Sequence, residues 1–383
     1  MKRLKKIKPD IISSYKSLNT IFVYEKNIVN NLEYLQSLKP EDTIIPVLKS
    51  NAYGHGLKQV CKILSTTDNA QYPLIAVDSF PEYQIVRDET KKDILILGET
   101  RPENYSLYNP SRSHLCISLR TLKALIESGL PYKVHLFINT GMNREGFQEK
   151  ELEQALDLLK ESHLQVIGVI SHFANADNKD ASFNHQQIEQ YKKMYQTISS
   201  FGHYPIYKQI ANSAGIAKVE DPFFNTRRTL AFYGYSPCEE TDKYTHLFES
   251  LQPALEIQTT ITSCQKIYPG EVNYGLQRKN ESNMILTTAT IPFGYHEGLP
   301  KSLQSFLFSL QINIETSVEL VAICMNLSSI LIPAKYEKAI KQDSVQIVSP
   351  DKNATNSIAQ IAKKSKIPYE ILVLDKGLKR VVL

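Results

Sequence analysis

Val47-Leu48-Lys49-Ser50-Asn51-Ala52-Tyr53-Gly54-His55-Gly56 ends a short apolar run, residues 43–48, in a lysine and a glycine-punctuated turn. A β-branched apolar run of that length, bounded by turn residues, reads as a buried strand. Similar runs recur at 74–77, 94–97, 114–118, 133–138, 164–171, 206–211 and 230–235. Helical periodicity fills several intervals, as at 122–126 and at 152–159, where Leu152, Ala155, Leu158 and Leu159 fall on one face. Strand, helix, strand implies parallel pairing. About eight such units in a little over 200 residues suit a closed (β/α)8 barrel better than an open doubly wound sheet, although periodicity alone leaves the second open. In a barrel the carboxyl ends of the strands form the active face, which puts Lys49 there.

Past Tyr235 the pattern changes. Residues 236–243 read as a linker, and strand-like runs follow at 254–262, 284–291 and 317–324. The expected organisation is a basic tail at 1–12, an α/β barrel at 13–248 and a mainly β C-terminal domain at 249–383. A strand-like segment at 20–24 could pair with either domain. The chain has 383 residues, 42% hydrophobic and 22% charged, which disfavours a small binding module, a disordered scaffold and a fibre. A net charge of +4, from 44 basic and 40 acidic side chains, gives no argument for nucleic acid or membrane surfaces. Five scattered cysteines without a CxxC fit reduced thiols and a cytoplasmic protein. The basic start lacks the apolar stretch of a signal peptide, and no run reaches membrane-spanning length.

A bare strand-end lysine is an ordinary surface residue, whereas a desolvated one can lose its proton and form a Schiff base. The context of Lys49 points to the second. Lys49-Ser-Asn-Ala-Tyr-Gly-His-Gly56 resembles the pyridoxal phosphate (PLP) lysine motif of alanine racemases, which usually reads Lys-Ala-Asn-Ala-Tyr-Gly-His-Gly. The resemblance continues in order through Ile75-Ala-Val-Asp-Ser79, Thr140-Gly-Met-Asn-Arg-Glu-Gly-Phe147, Ser171-His-Phe-Ala-Asn-Ala-Asp177, Ala211-Asn-Ser-Ala214, and Arg227 with Leu230-Ala-Phe-Tyr-Gly234. In the second domain it includes Asn273-Tyr-Gly275, Pro292-Phe-Gly-Tyr-His-Glu-Gly298, Ile323-Cys-Met-Asn326 and Pro368-Tyr-Glu370.

Racemising an amino acid means removing the Cα proton and returning one to the opposite face, so two acid/base groups must flank the substrate plane. The resemblance implies that Lys49 binds PLP covalently and serves one face, while Tyr274 of the partner subunit serves the other. A phenol is a poor base unless neighbours favour the phenolate, and His172 is the implied neighbour. Arg227 would face the pyridine nitrogen, where a permanent guanidinium donates without protonating and so disfavours transamination or decarboxylation. Arg228, one residue on, would point to solvent. The phosphate would be held by Ser213, Tyr369 and main-chain N–H groups near Thr229 and Leu230, with Asn212 and Tyr53 completing the cofactor site. Arg144 and the backbone of Met325 would hold the substrate carboxylate, and Tyr295 would line the entrance. The implied assembly is a homodimer with shared active sites, and the implied product is D-alanine for peptidoglycan.

Several positions depart from the family, among them Thr229, where glycine is usual and a backbone contact to phosphate would survive the change, and three that bear on charge. Phe137 stands where many members have a lysine, often carbamylated, that orients the carboxylate-binding arginine; Asn139 and Asn326 replace common aspartates. These changes remove negative charge around Arg144, and serine or broad amino-acid racemisation is the nearest alternative. Basic amino-acid decarboxylases share the two-domain plan, but their glycine-rich phosphate loop is not evident. A non-catalytic PLP carrier would not need Tyr274 and Met325, and a purely structural barrel would not need Lys49, Arg227 and Ser213.

Overall fold

The computed structural model describes residues 16–66, 72–98, 101–180, 182–238, 240–271, 280–312, 314–333, 344–366 and 378–383. They fall into two compact units, Tyr24–Ala254 and a second formed by the segment up to Val23 together with Leu255–Leu383. The first described strand, β1 (Thr20–Val23), is followed by helix α1 (Glu25–Leu38). Eight strands then build the larger unit: β2 (Thr43–Pro46), β3 (Leu74–Val77), β4 (Asp93–Ile96), β5 (Ser113–Ile117), β6 (Lys133–Phe137), β7 (Gln165–Ile170), β8 (Tyr207–Gln209) and β9 (Thr226–Thr229).

All these pairings are parallel, in the order β2-β9-β8-β7-β6-β5-β4-β3, and a parallel bridge between Val47 and Ala76 brings the two edges together. The result is a nearly closed (β/α)8 barrel, as the alternation of runs and periodic segments implies. Strands covered on both faces need apolar residues on both, which is why Leu74, Ile75, Ala76 and Val77 are all fully buried. The helix Glu149–Lys160 buries Leu152, Ala155, Leu156 and Leu159. Leu158, expected on that face, is 36% exposed, because Leu156 lies closer to the axis of the buried stripe.

The eighth strand differs from its expected position. The apolar run 230–235 contains a short 3-10 turn, Ala231–Tyr233, and the strand itself is the polar Thr226-Arg-Arg-Thr229. Its polar side chains hide it from a hydrophobicity reading. Asn31, buried on α1, donates to Phe232 O at 3.0 Å and Gln252 O at 2.7 Å and accepts from Gln252 N at 2.9 Å, which fixes that turn beneath the helix.

Inside the barrel a polar row crosses four strands. Gln209 Nε2 lies 2.9 Å from His135 Nδ1, His135 Nε2 lies 3.3 Å from His114 Nδ1, and His114 Nε2 lies 3.0 Å from Asp93. Gly168 makes room for it, since a Cβ there would sit 2.1 Å from His135 Nδ1. Burial holds both imidazoles neutral, His114 down to about 4 and His135 well below its ordinary value.

The second unit is a nine-stranded, mainly antiparallel sheet, order β11-β12-β15-β14-β13-β16-β10-β1-β17, with β10 (Leu255–Thr260), β11 (Ser263–Ile267), β12 (Leu286–Ile291), β13 (Leu307–Ile312), β14 (Ile314–Ile323), β15 (Ser328–Ile332), β16 (Ser344–Val348) and β17 (Lys379–Val382). Here β1 finds its place, antiparallel to β10 and parallel to β17. None of the five cysteines is disulfide-bonded. Among the described residues no helix is long and apolar enough to cross a membrane.

Candidate active site

Lys49 leaves β2 at the carboxyl end of the barrel and enters an unusual turn. Ser50, Asn51, Ala52 and Tyr53 all have φ between +47° and +54°, one turn of left-handed helix, closed by Gly54 at φ +77°. Non-glycine residues pay about 1–2 kcal/mol each for this conformation, and such strain persists only where surrounding groups over-determine it. They do so here. Glu82 accepts from Ser50 N at 2.6 Å and from Asp78 N at 2.8 Å, tying the turn to the end of β3. The Asn51 side chain accepts from Leu57 N at 2.7 Å, and Gly56 N donates to Asn51 O at 3.0 Å. Tyr53 is buried against Tyr233, whose hydroxyl donates to Val47 O at 3.1 Å.

His172 follows β7 at the same end. Burial and the nearby cations Arg228, Arg144 and Lys49 push its pKa from 6.5 to about 3, so the imidazole is neutral across the physiological range. Among the described residues its buried Nδ1 meets no hydrogen-bond partner. The Arg228 side chain donates through one terminal nitrogen to Ser171 O, next to His172, while its buried Nε also lacks a partner among the described residues. Burial lowers the guanidinium only to about 10, so it stays charged.

The two neighbouring arginines do not sit as expected from sequence: Arg228 faces inward, and Arg227 is buried in an ion pair. Arg227 pairs through Nε with Asp42 at 2.7 Å, just before β2, and one terminal nitrogen reaches Phe224 O at 3.4 Å. It is almost fully buried, away from His172. Successive strand residues face opposite sides, and the inward one here is Arg228, not the Arg227 that the resemblance implies.

A second corner lies where β8 and β9 end. Ser213 Oγ accepts from Leu230 N at 3.0 Å and from the Thr229 hydroxyl at 3.2 Å, and Thr229 Oγ1 in turn accepts from Ala231 N at 3.0 Å. Asn212 caps the short helix Ser213–Lys218 by accepting from Gly215 N at 3.1 Å, so its amide holds the corner in shape. Hydroxyls and N–H groups converging at the last barrel loops suit a phosphate.

Arg144 stands on the loop after β6, exposed, with no hydrogen bond or ion pair among the described residues. Phe137, Asn139, Met142, Arg144, Ser171 and His172 line one cleft there. Asn139 organises the loop: its Oδ1 accepts from Gly141 N at 3.0 Å and Asn143 N at 3.1 Å, and its Nδ2 donates to Asn143 Oδ1 at 2.9 Å. Asn143 adopts φ +57°, which asparagine tolerates.

In the second unit, Tyr295 N donates to Cys324 O at 3.1 Å and His296 N to Met325 O at 2.8 Å, so Tyr295 and Met325 lie on adjoining segments. Gly294 permits this approach, since a Cβ would sit 2.4 Å from Met325 O. Glu297 clamps the pair, accepting from Gly294 N at 2.8 Å and from Asn326 Nδ2 at 3.1 Å. Tyr274 and Tyr369 lie outside the described residues.

Sequence reasoning missed Arg228, the Glu82 brace and a buried glutamine, Gln187, on the helix Ser182–Ser200. That helix buries Asn184, Gln187, Tyr191, Met194 and Ile198. A polar residue inside a 3-4-3-4 buried stripe is a signal that could have found Gln187.

The family profile "Alanine racemase, N-terminal domain" matches residues 23–237, and "Alanine racemase, C-terminal domain" matches 254–382. Alanine racemase of Staphylococcus carnosus is 29% identical over 358 residues, covering 90% of this chain and 89% of its own. That of Carboxydothermus hydrogenoformans is 30% identical over 291 residues, covering 73% and 76%. The solved alanine racemase of Clostridium difficile 630 superposes with a TM-score of 0.84 at 25% identity, covering 97% of each chain. With both halves of the chain matched in order, and with the lysine turn, His172 and an arginine at the carboxyl face of a barrel, the chain belongs to the alanine racemase family.

Proposed function

We propose that this chain interconverts L- and D-alanine with pyridoxal 5′-phosphate, as a cytoplasmic homodimer supplying D-alanine for peptidoglycan. The observation that carries the reading is that two buried atoms without a partner among the described residues, His172 Nδ1 and Arg228 Nε, lie at the same barrel end as the strained Lys49 turn. These atoms fit a polar ring-shaped group, and the Ser213–Leu230 corner fits its phosphate. Ser213, Thr229 and Leu230 would hold the phosphate, Arg228 the ring nitrogen, Tyr53 the ring, and Lys49 the aldehyde carbon; Tyr369 is a further phosphate ligand in this reading. The cofactor supplies the electron sink that makes the Cα proton removable.

The chain's own residues do the rest. Lys49 takes or returns the proton at Nζ on one face, and Tyr274 of the partner subunit does so through its hydroxyl on the other. A neutral His172 accepts or donates a hydrogen bond without adding charge. Arg144, exposed and unpaired among the described residues, binds the substrate carboxylate with the backbone of the partner subunit's Met325, and the partner's Tyr295 lines the approach. Incubating the PLP-loaded protein with L-alanine should abolish its circular dichroism, and Lys49→Ala should leave the signal intact. A signal that persists with the wild-type protein refutes the reading.

A further inference from the structure

Gln187 projects from the inner face of the helix Ser182–Ser200 and is fully buried. Its Nε2 donates to Thr140 Oγ1 at 3.0 Å and to His172 O at 2.9 Å, and its Oε1 accepts from Ala174 N at 3.0 Å. Both amide hydrogens and the carbonyl are thus used, and the Ala174 N–H decides which end is oxygen. The row continues. Ser171 Oγ donates to Ile138 O at 2.9 Å, which leaves Thr140 to donate to Ser171 Oγ at 2.8 Å. Ser171 also accepts Arg228 through its carbonyl.

The loop that begins at Thr140 and carries Arg144 and the segment that carries His172 already meet through the β6–β7 pairing and the Thr140–Ser171 bond, and Gln187 adds a brace that holds Thr140, His172 O and Ala174 N together from the helix side. We propose that Gln187 is a positioning residue for the reaction: through Thr140 and the His172 carbonyl it sets the carboxylate anchor Arg144 in register with the proton-transfer groups. The inference rests on the racemase reading. Reactive geometry is sensitive to displacements of about 1 Å, which can cost 10²-fold, and beyond the ends of β6 and β7 the backbone ladder no longer sets the spacing of the two loops, so side-chain bonds such as those of Gln187 do.

Gln187→Met keeps the volume and removes all three hydrogen bonds. Gln187→Glu keeps an acceptor for Ala174 N–H but has no hydrogen to give Thr140 or His172 O, so it remains informative should the methionine variant fail to fold. Both are expected to raise KM for alanine about tenfold, more than they lower kcat. Propionate, which has the carboxylate and no amine, should bind about tenfold more weakly by calorimetric titration of the PLP-loaded enzyme. Tyr191→Phe is the control: its hydroxyl, on the same helix face, donates to Val169 O at 2.7 Å and accepts from Gln209 N at 3.2 Å, so its loss should lower the melting temperature with KM unchanged. Variants at Gln187 that melt lower while KM, kcat and propionate affinity match wild type overturn the proposal. A wild-type enzyme that fails to racemise alanine refutes the parent reading instead, and the propionate titration, which needs no turnover, still decides on Gln187.

Discussion

Arg227 and Arg228 are adjacent, yet the structure gives them different jobs, and substituting each by methionine separates them. Arg227 is an internal strut. Its guanidinium and Asp42 form an ion pair with side chains 2% and 14% exposed. Breaking a buried pair from one side costs about 3–5 kcal/mol, because the remaining charge is left without compensation. The residual exposure of Asp42 sets the lower end, about 3 kcal/mol for Arg227→Met. At about 2–4 °C per kcal/mol for a unit of this size, the barrel should melt about 6–12 °C lower. Racemisation at 25 °C should stay within about twofold of wild type, since nothing near His172 is removed.

Arg228→Met removes a cation aimed at the site. Losing one preorganised donor costs about 10²–10³ in rate, or about 2.7–4 kcal/mol. Among the described residues its one hydrogen bond is to Ser171 O, so stability should change by about 1 kcal/mol or less. Loss of ellipticity of L-alanine measures the first quantity and thermal unfolding the second. An Arg227→Met enzyme that is stable and dead, beside an Arg228→Met enzyme that is active, would refute the assignment.

Acid should destabilise the barrel through its buried imidazoles. His172 and His114 titrate at about 3 and about 4 in the folded chain against an ordinary value of 6.5, so between those values the unfolded state binds more protons. Stability is therefore full above pH 6.5 and falls as pH drops, by up to about 1.4 kcal/mol per pH unit per histidine, which denaturant midpoints from pH 7 to 4 will read. Gly168→Ala should drive His135 from its place and cost about 1–3 kcal/mol, with the Gln209–His135–His114 row broken; a calorimetric melt checks it. Asn326→Asp sets a second carboxylate 3.1 Å from Glu297 where an amide now donates, so KM for alanine should rise a few-fold at pH 8 and recover towards pH 5 as the two carboxyls share a proton. A KM ratio to wild type that is flat with pH contradicts it.

How much of this was legible before the structure depended on what kind of signal each residue sends. Most of the barrel strands lie in apolar runs and announce themselves by composition, although the polar row Gln209–His135–His114–Asp93 interrupts four of them. The eighth is Thr226-Arg-Arg-Thr229, and hydrophobicity passes over it to the apolar turn that follows. The resemblance put Arg227 at the site, and since neighbouring residues of a strand face opposite sides, a one-residue difference is enough to bring Arg228 inward instead. Lys49 was legible as a motif, but its left-handed turn was not: Ser50 and Ala52 have no preference for positive φ, and the turn is held by groups such as Glu82, from the helix after the next strand, and the Asn51 side chain. Long-range partners of this kind, Glu82 for Ser50 and Asp42 for Arg227, lie 32 and 185 residues away and leave no local pattern.

The two family aspartates replaced by asparagine are absorbed by one chemical rule, which argues that they are local solutions and not losses. Asn139 Nδ2 gives a hydrogen to Asn143 Oδ1, and Asn326 Nδ2 gives one to Glu297. An ionised aspartate could accept but not donate, and at either position it would face another oxygen. Each asparagine also keeps a backbone in shape, Asn139 through Gly141 N and Asn143 N, Asn326 through the Glu297 that holds Gly294 N. Phe137 completes the pattern by adding no charge. Arg144, the carboxylate anchor of the proposed reading, thus sits on a loop shaped by uncharged groups and pairs with no anion among the described residues. A substrate carboxylate then meets a cation that need not first give up a partner, while the geometry that an ion pair would have enforced falls to the Asn139 turn and, through Thr140, to Gln187.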